Sequence, residues 1–85
     1  MKEIREGLLE LLGDKLKRFE IKESEIQGKF DLVNSGFVNS MEFVDLVATL
    51  EKRFRVEIDY EKALEMGDFT TVDGLLKAFE SAKHE

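Results

Sequence analysis

Apolar residues near the start of the chain recur at intervals of three and four: Ile4, Leu8, Leu11, Leu12, Leu16 and Phe19. That rhythm predicts an amphipathic helix from about residue 3 to about residue 20. Gly13 inside it costs ~1 kcal/mol relative to alanine, a penalty that packing overrides. Residues 21–39 lose the periodicity and hold Gly28, Asn34, Ser35 and Gly36, which read as a loop with turns. A loop of that length is unusual in a small domain and is often functional. Ile21, Ile26, Phe30, Leu32 and Val33 are the residues expected to pin it to the core.

Helical periodicity returns at residues 40–54, where Phe43, Leu46, Val47, Leu50 and Phe54 form one tight stripe assigned to the core. Met41, Val44 and Ala48 make a second, narrower apolar strip, with Glu51 on one side and Asp45 on the other. One core can hardly cover both strips, so the second is expected to be partly exposed, as a docking edge flanked by carboxylates. Val56 and Ile58 alternate with charged residues, but no second strand is evident to pair with them, so they read as a packed connector. Asp59 caps a short third helix over about 60–66, and Gly67 suits its stop. Thr70 followed by Asp73 has capping-box spacing and opens a fourth helix over about 71–81 through Val72, Leu75, Leu76 and Phe79. Residues from Ser81 to Glu85 are expected to fray. The pattern predicts one all-α domain spanning 1–85, a small four-helix bundle with a long loop between its first two helices.

Composition narrows the chemistry. The net charge is −6 and the pI about 4.8, so nucleic acid and anionic membrane surfaces are not expected as partners and basic protein patches are favoured. Cysteine is absent and His84 is the sole histidine, which argues against disulfides and a zinc centre. The charged start Met1-Lys2-Glu3-Ile4-Arg5-Glu6 is unlike a signal peptide, and no apolar run is long enough for a membrane span. A cytoplasmic, monomeric protein is the expectation. Catalysis is not expected: a serine nucleophile needs a nearby base, and the histidine lies at the tail. Asp68 to Gly74 lacks the ligand spacing of a calcium loop.

The chemistry concentrates at Asn39-Ser40-Met41-Glu42. Asn39 is a good N-cap and Glu42 follows at capping-box spacing, which puts Ser40 on the first helical residue. Backbone N–H groups there lack intrahelical partners, and with the helix dipole they favour an anion such as a phosphodiester. Ser35 and Ser24 are weaker candidates: Gly36 after Ser35 marks a turn, and Ser24 lies among charges with little helical signal.

This segment and the helix after it resemble the acyl carrier protein family, in which an Asp-Ser-Leu motif opens the second helix. The resemblance covers nearly the whole chain as a four-helix pattern. It implies a 4′-phosphopantetheine arm attached to Ser40 by a phosphopantetheinyl transferase, with acyl or aminoacyl groups held as thioesters on the arm. It further implies partner enzymes with basic patches docking on Met41, Glu42, Val44, Asp45, Ala48 and Glu51. Asp31, Glu57 and Glu61 would widen that acidic face. Phe43, Leu46, Val47, Leu50 and Phe54 are packing residues first, and in the family such residues also line an acyl cleft.

Three departures point away from the housekeeping fatty-acid carrier and toward a specialised lipid, polyketide or related pathway. Asn39 replaces the usual aspartate, which keeps the cap but removes a charge beside the serine. Lys52 and Arg53 interrupt the acidic run after Glu51. Gly36 lies four residues before the serine, a spacing similar to carriers of the D-alanyl type. The alternative is an unmodified helical interaction module that binds a partner through Met41, Val44 and Ala48 and leaves Ser40 free.

Overall fold

Helix α1 (Lys2–Arg18) packs against α2 (Ser40–Phe54) and α4 (Val72–Glu80) in the computed structural model, which describes residues 2–84. A short helix, α3 (Tyr60–Glu65), lies between α2 and α4. The chain is a small, mostly helical bundle, with one 3₁₀ turn at Glu23–Glu25 inside the long loop. No helix among the described residues is long and apolar enough to cross a membrane.

The core follows from the periodicity. Ile4, Leu8, Leu12 and Leu16 of α1 are buried against Phe43, Leu46, Val47 and Leu50 of α2 and Val72, Leu75, Ala78 and Phe79 of α4, all in one cluster. Each such aliphatic or aromatic side chain contributes roughly 1.5–3 kcal/mol when fully buried. Leu11 and Phe19, counted with the α1 stripe, remain at the surface, Phe19 packed edge-on against Phe37.

Three boundaries differ from the sequence expectation, each for a local reason. Helix α1 stops at Arg18 rather than near residue 20. Glu20 takes a left-handed conformation (φ 55°), and the Ile21 N–H donates to the Leu16 carbonyl, the wrap that ends helices. Glutamate there gives no stop signal of the kind glycine gives. At the start of α4 the cap is Thr71, whose hydroxyl accepts from the Gly74 N–H, and not Thr70. Thr70 is taken up elsewhere: its hydroxyl donates to Asp31 and its carbonyl accepts from the Leu32 N–H.

The tail is the third correction. Val56–Glu57 forms strand β1 and pairs antiparallel with strand β2 (Lys83–His84), in register Val56 with His84 and Glu57 with Lys83. The connector therefore has a strand partner, and residues 83–84 are held by it instead of fraying. Two residues carry no periodicity, so the pairing had no sequence signal. Glu85 lies outside the described residues.

The long loop is anchored to the start of α4 by main-chain hydrogen bonds. Leu32 N–H donates to Thr70 O (2.8 Å), Val72 N–H to Phe30 O (3.0 Å) and Asp73 N–H to Gly28 O (2.9 Å). Asp31 sits at the centre of this seam. One carboxylate oxygen accepts the Val33 and Asn34 N–H groups, and the other accepts from the Asn34 amide and the Thr70 hydroxyl. Burial raises the Asp31 pKa, but these hydrogen bonds outweigh it and hold the carboxyl below its ordinary 3.8. Ile26 and Leu32 plug the loop into the core, Ile21, Phe30 and Val33 pack partly against it, and Phe37 and Val38 join them as buried residues.

Gly74 is where α4 meets the preceding turn: a Cβ there would lie 1.8 Å from the Asp68 carbonyl oxygen. Gly74→Ala should therefore cost about 2–3 kcal/mol by overpacking. Gly13→Ala, at a helical site with nothing within 4 Å, should instead stabilise by roughly 0.5–1 kcal/mol. Urea unfolding of both variants followed by circular dichroism checks the pair, and opposite signs are the expected result.

Candidate functional site

The start of α2 is fixed by a reciprocal cap. Glu42 N–H donates to Asn39 Oδ1 (2.8 Å), and Asn39 N–H donates to Glu42 Oε1 (3.0 Å). Val38 and Phe43, at the two positions of a hydrophobic staple, are both buried. Of the N–H groups in this first turn, the cap uses those of Asn39 and Glu42 and leaves those of Ser40 and Met41 without an intrahelical acceptor. Ser40 is exposed at the first helical position, between the two capping residues. Just before it, Gly36 adopts φ 85°, a left-handed conformation that glycine takes without strain, as the chain turns into the cap.

A cation from α1 completes the arrangement. Lys15 Nζ donates to the Phe37 carbonyl (2.9 Å) and to Glu42 Oε2, and it stands 5.9 Å from the centre of the Phe37 ring. The Lys15 side chain is only 19% exposed, whereas that of Glu42 is 45% exposed. The Lys15 hydrogen bond, then the Asn39 N–H, hold the Glu42 carboxyl below its usual 4.5. Lys15 is absent from the sequence-based site, because nothing local marks a residue 27 positions from its partner. Phe37 and Val38 had a visible signal, an apolar pair directly before an N-cap.

The two apolar strips of α2 separate cleanly. Phe43, Leu46, Val47 and Leu50 are buried and Phe54 is half-buried, so the stripe packs into the core. Leu46 also borders a groove of about 340 Å³ between α1 and α2, with Leu11, Leu12, Lys15 and Asp45 among its other walls. Met41 (74% exposed), Val44 (52%) and Ala48 form an exposed strip on the other side. Leu64 and Met66 add exposed apolar surface at α3.

The acidic residues expected on a docking face have unequal freedom. Asp45 is exposed on α2, as are Glu57 in β1 and Glu61 on α3. Glu51 is half-buried, and its carboxylate accepts from the Ile58 N–H (2.9 Å) and the Tyr60 hydroxyl (3.2 Å), tying the α2–α3 connector to α2. Asp31 belongs to the loop seam described above. A further groove of about 390 Å³ lies between β1, α3 and the end of α4, walled by Ile58, Ala63, Met66, Ala78 and Ala82 with polar rims at Asp59 and Lys62.

We found no matching protein-family model, no matching curated protein and no matching solved structure for this chain. The site therefore stands on its own geometry: an exposed hydroxyl on a doubly capped helix start, beside an exposed apolar strip and the exposed carboxylate of Asp45.

Two titrations follow from these contacts. A carboxyl whose pKa is lowered on folding contributes stability above its unfolded value and loses it as the pH falls. The stability difference between the parent and Glu42→Gln should hold steady near neutrality and narrow as the pH drops through 4.5, in urea titrations at stepped pH. Burial, then the charge of Glu51, then its hydrogen bond push Tyr60, the sole tyrosine, up to about 12. The stability that Tyr60 provides as a neutral phenol is present below pH 10 and lost as the pH rises toward 12. Ultraviolet absorbance should show its ionisation at about pH 12 in the parent and distinctly lower in Glu51→Gln.

Proposed function

We propose that this protein is an acyl-carrier-type domain that carries a 4′-phosphopantetheine arm on Ser40. The observation that carries this reading is the reciprocal Asn39–Glu42 cap. It holds the serine exposed at a helix start while the core is made entirely by other residues. The group fits the residues present there. Ser40 provides the point of attachment, and the N–H groups of Ser40 and Met41 are the donors available to a phosphodiester. When bound, the arm supplies a terminal thiol that holds an acyl or aminoacyl group as a thioester. Since the chain has no cysteine, that thiol would be its only one.

On this reading the bundle has the acyl-carrier layout, and the exposed face of α2 is where partner enzymes meet it. Met41, Val44 and Ala48 offer apolar contact, and Asp45 offers charge to a basic patch, which raises encounter rates and fixes orientation. Glu42 and Glu51 contribute differently: their carboxylates are engaged within the chain and support the shape of the face. Lys52 and Arg53 are exposed at the other end of α2, where Arg53 pairs with Glu10 of α1. That end presents both signs of charge, which favours a partner set unlike that of a uniformly acidic fatty-acid carrier.

The test is intact mass after incubation with coenzyme A, magnesium and a broad-specificity phosphopantetheinyl transferase. One phosphopantetheine adduct on the parent and none on Ser40→Ala is the expected result. An unmodified parent, with a known carrier loaded in the same reaction mixture, favours instead the helical interaction module acting through Met41, Val44 and Ala48.

A further inference from the structure

One side chain of α1 contacts the Ser40 turn on both sides of the serine. The Lys15 ammonium reaches across to two points of it: the Phe37 carbonyl before the cap and Glu42 Oε2 after it. Glu42 passes the constraint on, because its other oxygen accepts the Asn39 N–H while its own N–H donates to Asn39 Oδ1. Ser40 stands between Asn39 and Glu42 and makes no part of this relay itself. We propose that Lys15 is a positioning residue for the loading of Ser40: it holds the serine hydroxyl in the orientation from which it attacks the phosphorus of coenzyme A on the transferase. This inference rests on the carrier reading.

Three features separate this role from a plain surface ion pair. Exposed lysine–glutamate pairs contribute little and their side chains wander, whereas Lys15 is mostly covered and is held by a carbonyl, a carboxylate and an aromatic face at once. The contact bridges two helices rather than successive turns of one, so it transmits the position of α1 to the start of α2. It also lies at the rim of the α1–α2 groove together with Arg18, which adds a second positive charge near Glu42. Lys15 thus offsets much of the charge that Glu42 shows to a partner, while Asp45 stays exposed nearby on α2.

Orientation matters because of the reaction itself. Ser40 Oγ forms a new bond to the phosphorus of coenzyme A that bears pantetheine. The bond from that phosphorus to the adenosine bisphosphate oxygen breaks, adenosine 3′,5′-bisphosphate leaves, and the serine proton passes to a base on the transferase. In-line displacement tolerates little misplacement of the nucleophile, and an error near 1 Å can cost about a hundred-fold.

The experiment compares steady-state loading of the parent, Lys15→Gln, Lys15→Arg and Glu42→Gln at a temperature where circular dichroism shows all four folded. Loss of positioning should lower kcat about ten-fold in Lys15→Gln with KM changed less than about two-fold. Lys15→Arg, which keeps the charge and the donors, should recover kcat to within about two-fold of the parent. Glu42→Gln should reproduce part of the loss, and the double variant Lys15→Gln/Glu42→Gln should lose less than the product of the two single effects. A purely stabilising role would lower the melting temperature of Lys15→Gln and leave kcat at the parent value, which overturns the proposal. A rise confined to KM overturns it too, since that would make Lys15 a docking contact. If the parent itself is not loaded, the carrier reading fails and this inference fails with it. If the parent is loaded and Lys15→Gln matches it, only the positioning role falls.

Discussion

The seam between residues 28–32 of the loop and 70–73 at the start of α4 is the constraint on which the rest of the structure depends. A segment with so little periodicity has a large conformational entropy to lose, and the seam supplies the compensation. Main-chain bonds register the loop against α4, Asp31 satisfies the turn that follows, and Leu32 is fully buried beside it. With residues 30–32 fixed, the chain has only a short path to α2. The Val38 N–H reaches back to the Leu32 carbonyl, and Phe37 packs edge-on against Phe30 and Phe19. The cap at Asn39, and therefore the place of Ser40, is set by contacts made far from the serine.

Charge is used in the same economical way. The chain has an acidic excess, yet several of its carboxylates near α2 are bound up in the fold. Asp31 organises a turn, Glu42 closes a cap and meets Lys15, and Glu51 holds the backbone at Ile58 and the hydroxyl of Tyr60. Asp45, Glu57 and Glu61 stay exposed. A count of acidic residues on a helix therefore overstates the carboxylates available for docking, because one that accepts two or three hydrogen bonds within the chain has its acceptor sites already occupied.

Much of this was legible in the sequence. The bounds of α2 and the face it buries follow from its periodicity and from Asn39 with Glu42, since the cap and the stripe are local patterns that tertiary contacts reinforce. The exposed strip of Met41, Val44 and Ala48 was equally readable, as two stripes on one helix cannot both face one core. What escaped was long-range. Thr70 looked like a cap until Asp31, distant along the chain, claimed its hydroxyl. The pairing of Val56–Glu57 with Lys83–His84 involves too few residues to leave a pattern. Lys15 gave no hint of its contacts with Phe37 and Glu42, and Glu51 looked like a solvated charge before the connector folded over it.

The carrier reading requires that Ser40 be covalently loaded. The most direct test is the mass of the protein isolated from the cells that make it, with peptide mapping to localise any adduct. The expected result is a phosphopantetheine mass, with or without an acyl group, confined to the peptide that contains Ser40. A population carrying no such adduct on that peptide would contradict it.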